Sequence, residues 1–252
     1  ANLTEYLLKF NRTLGDIQYW NFIFWKTKKR KTMKTLIIGA HGKVGQRIAK
    51  LMQASTDFEP TAFIRKEEQK PLFEKMKVPT VVESLENTPE ALEKVIKNYD
   101  AVVFTAGSGG STGADKTMEI DLDGAIKTIH AASQTGVKRY VMVGASHADD
   151  RSFWGKVEGM KPYYIAKHYA DKELQRSDLD FTILRPVTLT DDEEAGTVMM
   201  STDPEKVNSK IPRQAVAETV LEVLNNKNTF GKIIEMSSGE DSIPQALHKI
   251  IN

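Results

Sequence analysis

Two hydrophobic rhythms take turns along the chain from Met33 onward. Thr35–Gly39 reads TLIIG, a short unbroken apolar run closed by glycine, which suits a strand buried on both faces of a parallel sheet. Val44, Ile48 and Leu51/Met52 then recur at the spacing of a helix face and place a helix over about Val44–Gln53. The same alternation predicts a strand near Pro60–Ile64, a charged helix near Lys66–Met76 and a strand at Val78–Val82. Thr88 stands as N-cap before Pro89 and opens a helix that turns Ala91, Leu92, Val95 and Ile96 inward and ends near Asn98. A strand at Ala101–Ala106, a long helix over about Asp115–Gln134 and a strand at Arg139–Val143 follow. The chain closes with a helix at Pro162–Arg176, a strand at Phe181–Leu184, a helix at Arg213–Asn225, a strand at Lys232–Met236 and a terminal helix.

Strand–helix alternation at this spacing specifies an α/β fold, a doubly wound parallel sheet of Rossmann-like type. Residues 33–252 are expected to form one such domain, with a small C-terminal substrate region. Right-handed crossovers bring the C-terminal ends of the strands to one edge, where ligands bind. Ser146–Lys161 and Thr190–Lys210 are polar and follow neither rhythm, which makes them candidate substrate loops.

Composition narrows the chemistry. The 252 residues contain no cysteine, which excludes disulfides, thiolate metal sites and a cysteine nucleophile, and a cytoplasmic address is expected. No apolar run is long enough for a membrane span. The net charge of +1 hides an asymmetry: residues 1–32 carry +5 and the remainder −4, so the body has no nucleic-acid footprint. The N-terminal stretch, YWNFIFW followed by KTKKRK, has the reverse order of a secretory signal. It reads first as an extension or misassigned start, with Met33 the initiator. Two other readings are an amphipathic arm on a membrane surface or partner, and a polyanion or nuclear address. Five scattered histidines have no metal-ligand spacing, and the cluster His147, Asp149, Asp150 reads as a solvated loop, so no metal is expected. His168, next to Lys167, reads first as a surface residue and second as one facing the cleft, and Trp154 as either a lid over a substrate or a plug into the core.

Gly39-Ala-His41-Gly42-Lys43-Val44-Gly45 follows the first strand directly, spaced G-x-x-G-x-x-G. A tight glycine turn between an apolar strand and an amphipathic helix brings backbone N–H groups to a pyrophosphate at a helix N-terminus, and the last glycine lets helix and strand approach. A dinucleotide is therefore expected here. The second strand ends Ile64-Arg65-Lys66, where an NAD site would carry an acid for the ribose hydroxyls. Arg65 offers a planar fork suited to a 2′-phosphate, and Lys66 or Lys43 adds charge, so NADP is favoured over NAD. Tyr163 and Lys167, in YYIAK, stand at i and i+4 on one helix face. An adjacent ammonium is expected to lower a phenol pKa otherwise near 10 and to fit the tyrosine for proton transfer to a carbonyl oxygen.

Together GAHGKVG, Arg65, AVVFTAG, YYIAK and Leu184-Arg185-Pro186 resemble the short-chain dehydrogenase/reductase superfamily. GADKTMEIDLDGA, YYIAKHYADKELQRSDLDFTILRP and VTLTDDEEAGTV are similar to its atypical NmrA-like and epimerase-like branch, small bacterial NAD(P)H-binding proteins often called sugar epimerases. The resemblance covers Met33–Asn252. It implies that Ser146 polarises the substrate oxygen, Tyr163 exchanges the proton and Lys167 holds the nicotinamide ribose. It also implies that Thr105, Ala106 and Gly107 flank the cofactor and that the segment Arg185-Pro186-Val187-Thr188 lines the nicotinamide. Departures accompany it. The usual run of three serines reads Gly144-Ala145-Ser146, and Glu83-Ser84-Leu85 stands where Gly-Asp would meet the adenine, leaving Ser84 and Leu85 as the adenine contacts. Arg213 is followed by Gln214-Ala215 instead of an acid.

The function so implied is an NADP-dependent oxidoreductase acting on a small carbonyl or alcohol. Epimerisation by the same hydride is a close alternative, though only about 65 residues follow Pro186, little for a nucleotide-sugar domain. A non-catalytic NmrA-like NADP(H) sensor and a flavin or quinone reductase are the other two. A monomer or homodimer is expected, with an unknown small-molecule substrate as partner.

Overall fold

Strand β1 (Met33–Ile38) shows how one apolar run serves two cores. Side chains alternate across a strand: Leu36 and Ile38 enter the core on one face of the sheet, while Ile37 enters the core on the other. Strand β4 (Ala101–Phe104) divides in the same way, Val102 and Phe104 against Ala101 and Val103, and so does β5 (Arg139–Val143). Each fully buried aliphatic side chain is worth about 1.5–3 kcal/mol, so these central strands anchor the fold. The computed structural model from which these features come describes residues 32–109 and 112–251. The expectations placed on the N-terminal stretch, from an extension to a membrane or polyanion arm, fall outside the described residues.

The sheet has eight strands in the order β3-β2-β1-β4-β5-β6-β10-β8. Its other members are β2 (Phe58–Ile64), β3 (Thr80–Val82), β6 (Asp180–Pro186), β8 (Val198–Ser201) and β10 (Lys232–Ser238). Every pairing is parallel except that of β8 with β10. The order reverses between β1 and β4, the switch point at which doubly wound sheets open a ligand crevice. One face is covered by α1 (Lys43–Ala54), α2 (Lys70–Lys75), α6 (Arg213–Leu224) and α7 (Ile243–Ile251). The other is covered by α3 (Pro89–Ile96), α4 (Ala125–Thr135) and α5 (Lys161–Arg176). No helix among the described residues is long and apolar enough to cross a membrane.

Three elements differ from the sequence reading. The charged segment after β2 splits into a 3-10 turn at Glu67–Gln69 and the short α2. The helix expected over Asp115–Gln134 is composite: a turn at Ala114–Lys116, eight π-helical residues at Thr117–Gly124, then α4. The wider turn faces Thr117, Asp121 and Gly124 inward. The loop expected over Thr190–Lys210 contains the antiparallel β8, and β7 (Thr188–Thr190) pairs with β9 (Lys210–Pro212) in a separate two-stranded sheet. The N-cap at Thr88 stands as read, its hydroxyl accepting from the Ala91 N–H.

Candidate active site

The glycine turn is held by crowding. Gly39 takes φ +83°, and a Cβ there would lie 2.6 Å from the Ala106 Cα, so β1 and β4 meet backbone to backbone. A Cβ on Gly45 would lie 2.7 Å from the Ala40 Cα, which keeps the first turn of α1 tight against the loop. Between them the Gly42 N–H donates to the Gly39 carbonyl at 3.0 Å. Gly42 is the N-cap of α1, and no side chain caps the helix. The first amides of α1 are left for an anionic ligand, and the glycines leave room for it to approach. The residues present therefore fit a dinucleotide pyrophosphate.

At the C-terminal edge of the sheet this turn opens into a cavity of about 1000 Å³. That is the upper end of the ~300–1,000 Å³ that small-molecule sites occupy, room for a cofactor's reactive end and a substrate together. Of the residues singled out from the sequence, Gly42, Lys43 and Val44 line it at the helix start and Thr105, Ala106 and Gly107 after β4. Ser146, Tyr163 and Lys167 line it from the side of β5 and α5, and Pro186 and Val187 from the end of β6. Gly39, His41, Gly45, Arg65, Ser84 and Leu85 are not in its lining. Arg65 is exposed at the end of β2, and its backbone N–H donates to Gln69 Oε1 at 3.0 Å. Leu85 is buried in the core that packs on Gly124. Lys43 meets Asp191 at 2.6 Å, and Asp191 also meets Arg213, a cavity residue, at 2.8 Å.

Tyr163 and Lys167 lie on the face of α5 that fronts the cavity, with the ammonium 5.5 Å from the phenol ring centroid. Lys167 is buried, 3.0 Å from Asp121 Oδ1, and donates to the Ala106 carbonyl at 3.3 Å. Asp121 comes from the π-helical turn and accepts from the Ser108 N–H at 2.8 Å. Burial alone would lower the Lys167 pKa, but Asp121 outweighs it and the ammonium is held above its ordinary value. Burial raises the Tyr163 phenol; Lys167 pulls it down, but Asp121 and Asp171 add to the rise. The expected lowering is therefore reversed: burial outweighs the pull of the ammonium, and the two nearby carboxylates add to it. Tyr163 stays a neutral phenol able to donate a proton.

Ser146 is buried, its N–H donating to the Pro186 carbonyl at 3.0 Å. Burial raises the nearby Glu235 carboxyl and the Ser146 hydroxyl opposes that rise, yet neither Ser146 Oγ nor Glu235 Oε2 reaches hydrogen-bonding geometry. The hydroxyl thus has a hydrogen bond to give. Behind it sits a charge network that sequence reading missed. Arg185, expected with its neighbours to line the nicotinamide, is instead buried outside the cavity lining because carboxylates hold it: it meets Asp171 at 2.8 Å, Asp149 at 2.9 Å and Glu235 at 3.4 Å. Burial pushes Asp171 up to about 6 against the pull of Arg185, and burial also raises Glu235. His168, read as a surface residue, is instead buried, 2.9 Å from Asp149. Trp154 is a plug: it is 3% exposed, and its Nε1 donates to the Ala148 carbonyl at 3.1 Å. The cluster read as His147, Asp149 and Asp150 divides, Asp149 joining Arg185 while His147 Nδ1 faces Asp150 at 4.0 Å and Glu205 at 3.8 Å.

Asp121 and Arg213 are the two charged cavity residues that the sequence reading did not place in the site, Arg213 being named there only for the residues that follow it. An acid on a helix reads as solvated, and only the π-helical turn brings Asp121 under Lys167.

A family model described as NAD(P)H-binding matches residues 39–227. A Bacillus subtilis (strain 168) protein named "uncharacterized sugar epimerase YhfK" is 45% identical over 218 residues, 86% of this chain and 100% of its own length. A solved structure from Bacillus halodurans, described as an NAD-dependent epimerase/dehydratase, is 38% identical with a TM-score of 0.78, covering 86% of this chain and 99% of that one. A Veillonella parvula short-chain dehydrogenase/reductase in complex with NADP superposes with a TM-score of 0.67 over 82% of this chain and 94% of its own. At 19% identity that last likeness is one of fold.

Proposed function

This chain belongs to the NAD(P)H-binding family, an oxidoreductase- and epimerase-like group of Rossmann-fold proteins, and from that premise we propose that it is an NADP-dependent oxidoreductase acting on a small carbonyl or alcohol. The observation that carries this reading is Tyr163 in the cavity wall with the Lys167 ammonium, held at 3.0 Å by Asp121, lying 5.5 Å from its ring centroid. The turn from Gly39 to Gly45 would hold the pyrophosphate, with Thr105–Gly107 and Pro186–Val187 on either side of the nicotinamide. Arg65 and Lys43 would meet a 2′-phosphate, Lys43 by exchanging Asp191 for it. The cofactor supplies the hydride. Ser146 directs its unpartnered hydroxyl to the substrate oxygen, and Tyr163 gives that oxygen its proton and regains one from solvent. Val187 and Pro186 exclude water from one side of the reacting carbon.

Calorimetric titration with NADPH and NADH tests the cofactor. NADPH is expected to bind at least about tenfold more tightly, and Arg65→Ala with Lys43→Ala to remove the difference. Tyr163→Phe should then lower turnover by roughly 10²–10⁴-fold with NADPH affinity intact. Failure of both nucleotides to bind overturns the proposal. The name of the Bacillus subtilis relative favours a second reading, epimerisation. It would show as exchange of a substrate C–H configuration without net NADPH consumption.

A further inference from the structure

One wall of the cavity is a ladder of rings. His147 stacks face to face on Phe153, centroids 3.9 Å apart and 7° between planes. Phe153 meets Tyr164 edge to face at 5.5 Å, and Tyr164 meets Tyr163 edge to face at 5.5 Å. All four line the cavity, and all four are partly exposed, neither given over to the core nor to bulk solvent. The loop builds this wall at some conformational expense. His147 sits at φ +61°, a region non-glycine residues seldom take, and such strain gathers at ligand clamps. Asp150 fixes the next turn by accepting from the N–H groups of Ser152 and Phe153. Trp154 anchors the loop to the core, so its neighbour Phe153 is left for the cavity.

Two of the polar side chains around the same space are committed elsewhere. The Asn208 amide donates to the Ser238 carbonyl, and Arg213 meets Asp191. A sugar ring demands several free, oriented donors and acceptors; a wall of rings offers apolar faces instead. We infer that the substrate is a planar, conjugated carbonyl compound, an aryl ketone or cyclic aromatic dione. Its face lies on the His147–Phe153–Tyr164 wall, and its oxygen lies at Ser146 and Tyr163. This names the substrate class of the site proposed above and rests on that reading.

The test is calorimetric titration of the full chain, with and without saturating NADP⁺, using isatin and 9,10-phenanthrenequinone. Cyclohexane-1,2-dione, a non-aromatic dione, and UDP-glucose serve as comparators. The aromatic diones are expected to bind at least tenfold more tightly than either comparator. Phe153→Leu, which keeps apolar bulk and removes the face, is expected to abolish most of that preference. Tyr164→Leu, on α5 instead of the loop, should do the same if the loop variant misfolds. Equal binding of aromatic and aliphatic diones, tighter binding of UDP-glucose, or a preference that survives both variants overturns the inference. The two readings separate cleanly. Aromatic preference without NADPH oxidation upholds the wall and removes the oxidoreductase, whereas reduction of diones without aromatic preference does the reverse.

Discussion

Asp171 carries no exposed surface, and burial holds its carboxyl at about 6 in the folded chain against an ordinary 3.8. The folded state keeps a proton there that the unfolded chain releases. This contribution to stability is complete below about pH 4 and is lost as pH rises through 6. Urea denaturation from pH 4 to 7 should find a steeper fall in the wild type than in Asp171→Asn, whose amide cannot titrate. Equal slopes would mean that Arg185 holds Asp171 ionised throughout. Tyr163 and Lys167 were legible because their i, i+4 spacing survives into the structure. The reversal of the Tyr163 shift was not, since it depends first on burial and then on Asp121, which lies 46 positions from Lys167 in sequence and 3.0 Å away in space. No spacing rule links two residues on different elements.

The elements themselves follow from the alternation of apolar runs and helical faces, and most boundaries fall within a few residues of the expected ones. Failures cluster where geometry is not periodic. A π-helical turn keeps an apolar pattern close to that of an α-helix, so Thr117–Gly124 is invisible until its backbone is seen. Strand β8 is four residues long, lies among polar residues and is set by pairing with β10, a partner more than thirty positions away. Helix α6 ends in a device that the sequence also conceals. Arg139, buried at the start of β5, donates to the Val223 and Leu224 carbonyls in the last turn, where helix carbonyls lack intrahelical partners; the Asn226 N–H and the Thr229 hydroxyl also reach Val223. Burial lowers that guanidinium to about 10, with Asp180 opposing. Arg139→Met would strand the Leu224 carbonyl, while Val223 keeps the Asn226 N–H and the Thr229 hydroxyl, and a loss of about 1–3 kcal/mol is expected by chemical denaturation. A loss below about 0.5 kcal/mol would mean that water replaces the guanidinium.

Across the whole molecule, Arg185 ties β6 to α5, to the loop after β5 and to β10, one cation serving three carboxylates. Removing the cation leaves two buried like charges, Asp171 and Glu235, together. Arg185→Met should cost about 3–5 kcal/mol in urea unfolding at pH 7, with part of the loss recovered at pH 5, where Asp171 can take a proton. The sheet that this network braces stops at β3, three residues long, and at β8, four residues long and running against its neighbour. Rims so short give an incoming chain little backbone on which to grow a new strand. The native fold thereby guards against amyloid-like stacking, and the hazard passes to the unfolded chain, where the TLII and AVVF runs lie bare.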